Sequence, residues 1–419
     1  MELTFLGGAR EVGRSAVLFS GKKRVLIDYG VKLHGEGNKE TEYPLKLKKP
    51  INAYVMSHAH LDHSGAACAL YDNASVPCLA TYPTQALSQM LITDLIKIAK
   101  GKVPFAHGSY KKLMQNFFPA IYGREFEIGG GHHDVKLTLH DAGHIPGAAI
   151  SEIVSEGKKI VYTADFKMGE TLLHEGAKPV EDVDVLVTES TYSNREHPDR
   201  AESERDMREE IITTLEAGGN VLLPAFAVGR SQELAMLVYG FGLDVPVYLD
   251  GMAKGASEII LQYPKYVRDA NALSEALAAV EWIEGPAQRR KALSEPSVII
   301  STAGMLSGGP AINYLLRMNG DKKSKVIFTG YCVEGTNGWH LMKSHKINVE
   351  REWVQIELPV KYYDLSAHAG HGDLMRFINA AAPEKILCVH GDHCDEFAED
   401  LKTKGYDAHA PKAGETVQI

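Results

Sequence analysis

Nowhere in its 419 residues does the chain carry an apolar run near the ~18 to 20 residues needed to cross a bilayer. The start, Met1-Glu2-Leu3-Thr4-Phe5, has no basic leader. The expectation is a cytoplasmic protein with no membrane partner. Cysteine is scarce: Cys68, Cys78, Cys332, Cys388 and Cys394 are odd in number and form no Cys-x-x-Cys, which excludes a disulfide framework and a cysteine zinc knuckle. A basic excess is also lacking. With 45 Lys and Arg against 54 Asp and Glu, the net charge of −9 excludes a protein that coats nucleic acid indiscriminately. The basic clusters Lys46/Lys48/Lys49, Arg289/Arg290/Lys291 and Lys322/Lys323/Lys325 read first as solvated surface. What remains is 44% hydrophobic, enough for ordinary buried cores in two or three domains.

Histidine is where the sequence becomes specific. The β-prone run Ile51 to Met56 ends abruptly in His58, His60, Asp62 and His63. In an extended loop leaving a strand, residues two apart point the same way, so His58 and His60 can serve one ion while Asp62 and His63, round the turn, serve a second. Four metal-competent side chains within six residues make a metal site.

His-x-His-x-Asp-His after an apolar strand resembles the signature of the metallo-β-lactamase superfamily, and downstream stretches resemble its RNA-processing branch, the β-CASP nucleases. The resemblance covers essentially the whole chain. It implies an α/β fold: a metallo-β-lactamase αββα sandwich with an inserted α/β β-CASP domain, divided as core 1–194, insertion 195–358 and core return 359–419. Asp28 at a strand end matches the first motif and is expected to orient metal-site groups without being a ligand. His144, in Asp141-Ala-Gly-His-Ile-Pro-Gly, becomes the third ligand of the first ion, and Asp165, after the strand Ile160 to Thr163, the carboxylate bridging both. Glu189-Ser-Thr-Tyr192 resembles motif A, Ser366-Ala-His368 motif B and Val389-His390-Gly391 motif C. His390 completes the second site, and a histidine there is typical of RNA-directed members. His371 is extra and resembles a second histidine of RNase J.

The resemblance thus implies two Zn2+ ions per chain, single-stranded RNA as substrate, and phosphodiester hydrolysis by zinc-activated water with His368 as general acid, oriented by Glu189. A homodimer or a larger RNA-processing complex is the expected assembly. Endonuclease and 5′-to-3′ exonuclease modes both stay open. From Gly218 onward strands and helices alternate, and glycine-rich turns in Pro224 to Leu234, Thr302 to Gly309 and Thr329 to Thr336 resemble the cleavage-and-polyadenylation-factor subgroup. Such turns aim backbone N–H groups at anions, so Arg230, Ser307 and Gly308 are the expected phosphate contacts. The rival readings are a small-molecule hydrolase, disfavoured by the long insertion, and a non-catalytic scaffold, disfavoured by the intact ligand set. Helices are expected at 83–100 and 110–118, and His132, His133 and His140 read as surface or strand residues.

Overall fold

The computed structural model describes residues 1–33, 41–72, 74–100, 102–106, 108–129 and 135–419; His132 and His133 lie outside them. Among the described residues, two seven-stranded sheets form the sandwich. The first runs, in spatial order, Thr416–Gln418, Glu2–Gly7, Ala16–Ser20, Arg24–Ile27, Ala53–Val55, Cys78–Ala80, Phe117–Pro119. The second runs Ala408–His409, Lys385–Val389, Val185–Glu189, Lys158–Tyr162, Ala149–Ser155, Val135–Asp141, Glu125–Ile128.

Alternation explains why these sheets meet. Leu3, Phe5, Val17, Phe19, Val25 and Ile27 of the first sheet face Leu137, Leu139, Ile153, Val185 and Val187 of the second in one buried layer. Each such side chain contributes about 1.5–3 kcal/mol by leaving water, and Phe5→Ala would cost about 3–5 kcal/mol with its cavity. The outer face of the first sheet is covered by the helix Tyr82–Ile98, whose Leu91, Ile92 and Leu95 are buried. That helix begins where Thr81 Oγ1 accepts from Thr84 N at 3.3 Å, with Pro83 in the first turn. Both threonine hydroxyls also donate to Gly147 O, at 2.8 and 2.9 Å, tying the helix to the loop that carries His144. The outer face of the second sheet is covered by His371–Ala381 and Cys394–Thr403, amphipathic helices that the sequence reading had not assigned.

The insertion leaves the core after Val185–Glu189 and returns through Lys385–Val389, which pairs parallel with that same strand and sets Glu189 opposite Val389. Between them stands a six-stranded parallel sheet, ordered Glu281–Trp282, Val247–Asp250, Val298–Ser301, Val221–Pro224, Lys325–Phe328, Val360–Tyr362. The last strand falls on the core side of the expected boundary at 359 yet pairs with the inserted sheet. The insertion meets the core closely at Gly229, where φ is +82° and a Cβ would stand 2.6 Å from Ile145 Cγ2.

One local expectation is corrected. The helix expected at 110–118 spans Ser109–Gln115, and Phe117–Pro119 is instead an edge strand paired with Cys78–Ala80, because the open sheet edge offers the phenylalanine backbone partners. The turn expected to carry Asp62 and His63 is a single helical turn, Leu61–Ser64: His60 O accepts from both His63 N (3.0 Å) and Ser64 N (2.9 Å), and Ser64 Oγ donates to Ala59 O (2.8 Å). His140 sits in the strand Val135–Asp141 with its Nε2 2.9 Å from Glu152.

Candidate metal centre

Six strand ends converge at one rim of the sandwich. Ala53–Val55 releases His58, His60, Asp62 and His63; Val135–Asp141 leads to His144; Lys158–Tyr162 to Asp165; Val185–Glu189 ends on Glu189; and Lys385–Val389 delivers His390. Arg24–Ile27 supplies Asp28. Three of these exits are non-glycine residues with positive φ: Asp28 (58°), Ala164 (48°) and His390 (49°). Such conformations persist only where the surroundings over-determine them, and here they mark the turns at which three strands hand Asp28, Asp165 and His390 to the donor cluster.

The donor atoms fall into overlapping sets, each within 4.8 Å: His58, His60, His144 and Asp165; Asp62, His63, Asp165 and His390; and Asp165, Glu189 and His368. In the first set His144 Nε2 is 3.2 Å from His60 Nδ1 and 3.7 Å from Asp165 Oδ2, and His58 Nε2 is 3.6 Å from the same oxygen. In the second, His63 Nε2 stands 3.3 Å from both His390 Nε2 and Asp165 Oδ1, and His390 Nε2 is 3.4 Å from Asp62 Oδ2. A tetrahedral ion with ~2.0–2.1 Å bonds sets its ligand atoms ~3.4 Å apart, so both sets have the spacing of a coordination shell.

Unmet hydrogen bonding makes the same point. His58 Nε2 and Asp165 Oδ1 are buried without a hydrogen-bond partner, a costly arrangement unless another group completes it. The donor set is imidazole and carboxylate, which suits zinc, so the residues fit a metal cofactor.

Outer partners hold the rings. Asp28 Oδ2 accepts from His63 Nδ1 (2.7 Å), Ser57 Oγ (2.8 Å) and Tyr162 OH (3.1 Å), while its Oδ1 accepts from Ser57 N (2.8 Å). Ser57 Oγ also lies 3.1 Å from His58 Nδ1, leaving His58 Nε2 to face the void. His144 Nδ1 donates to Ala367 O at 2.9 Å and so turns Nε2 inward. Ser57 escaped the sequence reading; its signal was adjacency to the first histidine. Also unanticipated is the brace behind His368, where His197 bridges His368 O and Asp364 Oδ2, both at 3.1 Å, and Arg195 reaches Asp364 at 3.1 Å.

The electrostatics divide the histidines. Burial, reinforced by neighbouring imidazoles, pushes His58 and His144 well below the ordinary histidine range; burial also lowers His60. These are neutral donors. Burial works the same way on His63 and His390, but Asp165 with Asp28 outweighs it at His63, and Asp165 with Asp62 at His390, raising both. Asp165 and Asp62 are depressed despite burial, Asp165 by His390 and His63 and Asp62 by its hydrogen bond to His390. His368 is raised to about 9: burial opposes its charge, and Glu189 and Asp165 overcome it. Its Nδ1 lies 3.1 Å from Glu189 Oε2, and Glu189 Oε1 is held by Phe166 N at 2.8 Å.

The expected phosphate contacts behave differently. Arg230 is buried and turned onto Glu233, which Arg200 also grips at 2.6 Å, so its guanidinium is engaged inside the protein. Glu233, three residues on and one helical turn away, is the partner that holds Arg230, and a phosphate contact by Arg230 would have to compete with that pair. Ser307 is exposed and Gly308 half-buried at the start of the helix Gly309–Met318, on the insertion. Arg289 binds Asp250 at 2.6 Å, Lys291 binds Glu281 at 3.0 Å and Lys325 binds Glu210, so these basic clusters are tied locally.

Residues 17–184 match the metallo-beta-lactamase superfamily domain, 232–341 the Beta-Casp domain and 353–411 the Zn-dependent metallo-hydrolase RNA specificity domain. Across 100% of both chains, the protein is 36% identical to the probable RNase MJ4 of Methanocaldococcus jannaschii. It belongs to the β-CASP family of the metallo-β-lactamase superfamily. This β-CASP protein is also 33% identical to RNase aCSPSF2 of Saccharolobus solfataricus, over 100% of this chain and 85% of that one. With the transcription termination factor FttA of M. jannaschii it shares 35% identity over 96% of this chain and 69% of the other. A protein of unknown function from Enterococcus faecalis V583 superposes with a TM-score of 0.62 at 15% identity, covering 99% of each chain; the β-CASP arrangement is a shared fold there.

Proposed function

We propose that this β-CASP protein is a zinc-dependent ribonuclease that hydrolyses phosphodiester bonds of single-stranded RNA during RNA processing or decay. The observation that carries the reading is the pair of donor sets joined through Asp165, with buried atoms left unpartnered at their centre. RNase-named relatives and the RNA specificity domain support RNA as the substrate.

In this reading His58, His60, His144 and Asp165 hold one zinc ion, and Asp62, His63, Asp165 and His390 hold a second. Bound there, the ions supply Lewis acidity toward phosphate oxygens and acidify water at neutral pH. The remaining work falls to side chains. Asp28 fixes the His63 tautomer so that Nε2 faces the site. Glu189 takes the Nδ1–H of His368, which leaves Nε2 free to donate a proton to the departing oxygen. A zinc ion on Asp165 would claim that carboxylate's charge, so Glu189 is the anion that keeps His368 protonated. Tyr192, whose ring centroid lies 6.0 Å from that of His368, helps wall the site from water. We further propose a cytoplasmic enzyme working as a homodimer or within an RNA-processing complex.

The experiment has two readouts on one preparation: zinc per chain by plasma mass spectrometry, and cleavage of an RNA labelled at either end and bearing 5′-monophosphate, triphosphate or hydroxyl. Two zinc ions and metal-dependent cleavage are expected. Internal fragments whatever the 5′ group mean an endonuclease; mononucleotides released in order from a 5′-monophosphate mean an exonuclease. Zinc-replete protein that leaves every RNA intact would overturn the proposal in favour of a scaffold.

A further inference from the structure

Aromatic side chains continue outward from the catalytic mouth onto the insertion. Tyr192 contacts His368 on one side and Tyr331 on the other, with Tyr192–Tyr331 centroids 5.9 Å apart. The strand ending at Phe328 feeds Tyr331 into a loop that returns at once: a Cβ on Gly338 would lie 2.6 Å from Cys332 Sγ, so residues 331–332 and 338–339 are neighbours in space. The helix Asn337–Ser344 then presents Trp339 and His340, their ring centroids 4.9 Å apart, and His340 meets Trp353 of the following hairpin at 4.7 Å, edge to face.

Trp339 packs one side on the insertion's core and His340 is half-buried beside it, so the ring left open to solvent is Trp353. Trp353 is 53% exposed, whereas a hairpin built for packing turns such a ring inward, as this one turns in Ile347. The helix is rigidly placed: Gly338 N donates to Met305 O (2.8 Å) and Asn337 Nδ2 to Leu306 O (3.1 Å), so the rings are held against the turn that carries Ser307 and Gly308. Lys343 Nζ sits 5.4 Å from the Trp339 ring centroid, and Lys346 lies two cross-strand pairs from Trp353, on the same hairpin face. An exposed tryptophan braced by half-buried rings, with ammonium groups beside it, suits a strand of unpaired bases on a phosphate backbone.

We propose that Trp353, braced edge to face by His340 and through it by Trp339, forms a stacking platform for single-stranded RNA, engaging nucleotides beyond the scissile bond once they have passed Tyr331. The proposal rests on the ribonuclease reading and extends it to a subsite outside the catalytic centre. It explains how a chain of net charge −9 can hold RNA: bases stack on rings whatever the global charge.

Two assays separate this proposal from the reading beneath it. Binding of a long unstructured RNA is measured by fluorescence polarisation on chelator-treated protein, where no cutting occurs. Cleavage by zinc-loaded protein is measured on that RNA and on one too short to pass Tyr331. Trp353→Ala combined with His340→Ala should weaken binding of the long RNA about tenfold and raise its KM by a similar factor. The kcat and all cleavage of the short RNA should stay as in the parent, and Trp353→Phe should retain most of the binding. Unchanged binding and KM with normal cleavage would overturn the platform and leave the ribonuclease intact. If the parent cuts no RNA, the polarisation assay still decides: equal binding by parent and variant refutes the platform. A variant whose sedimentation changes while its RNA binding does not would make the surface a protein contact, which also refutes it.

Discussion

The strand ends of the sandwich and the strand ends of the inserted sheet both carry charged residues on tight turns, and they treat those charges in opposite ways. On the insertion, Arg230 is buried against Glu233, and Asp250 is held by Arg289 and by Tyr314 OH at 2.9 Å. On the sandwich, His58 and Asp165 are equally buried but keep atoms that no protein group satisfies. A buried charge completed by its neighbours stabilises the fold. A cluster left incomplete is reserved for something the chain does not encode.

The strongest way to break this comparison is at His368. Replacing it with Ala should slow RNA cleavage by on the order of 10²- to 10⁴-fold while zinc content stays as in the parent, because its role is proton donation. Lost zinc would instead move His368 into the ligand shell with Glu189 and Asp165, the third donor set. The pH–rate profile sharpens the point: Glu189 raises His368, so its acid form persists above the ordinary histidine range and is lost at higher pH, and the alkaline limb of kcat that results should vanish in the variant.

Next in size is Asp28→Asn, which leaves every proposed ligand in place but disturbs the carboxylate that orients His63 and Ser57. Zinc affinity, read by competition with a chelator, should fall about 10- to 100-fold. No change would make Asp28 a turn residue only.

Arg230→Met tests the other side. It strands part of the Glu233 charge, so unfolding free energy from denaturant titration should drop, by up to about 3–5 kcal/mol and less to the extent that Arg200 compensates. KM for RNA should not move; a large rise in KM at preserved stability would restore Arg230 as a phosphate contact.

The smallest effect is expected at His174, buried on a core loop near Glu233, where burial lowers the imidazole to about 4 against an opposing pull from Glu233. A depressed histidine is neutral in the fold, while the unfolded chain takes up protons below ~6.5. Its contribution is therefore present above that pH and lost as pH falls toward 4, amounting to roughly 3 kcal/mol at most. His174→Leu should flatten this part of the stability–pH curve relative to the parent.

Much of the centre was legible because short-range spacing carries it. His58, His60, Asp62 and His63 occupy six consecutive positions, and no folding event can separate them. His144, Asp165, Glu189, His368 and His390 were legible only through resemblance, since each stands at a strand end or loop far along the chain. The Arg230–Glu233 pair was not legible for a local reason: the turn is glycine-rich as expected, but whether the carboxylate one helical turn on holds the guanidinium depends on burial. The helix Leu61–Ser64 was hidden because its four residues show no period. The helices 371–381 and 394–403 are amphipathic, but each is short and the first follows directly on a motif that reads as loop.

By itself the sequence determined the strands that alternate apolar and polar residues, the histidine cluster that follows one of them, and a negative charge that limits how nucleic acid can be held. Tertiary structure alone decided that the strand leaving the core and the strand returning to it lie side by side, which sets Glu189 beside the turn that bears His390. It also decided which charges are satisfied. Pairing between residues hundreds of positions apart depends on sheet register and packing, and neither is written in any local stretch of chain.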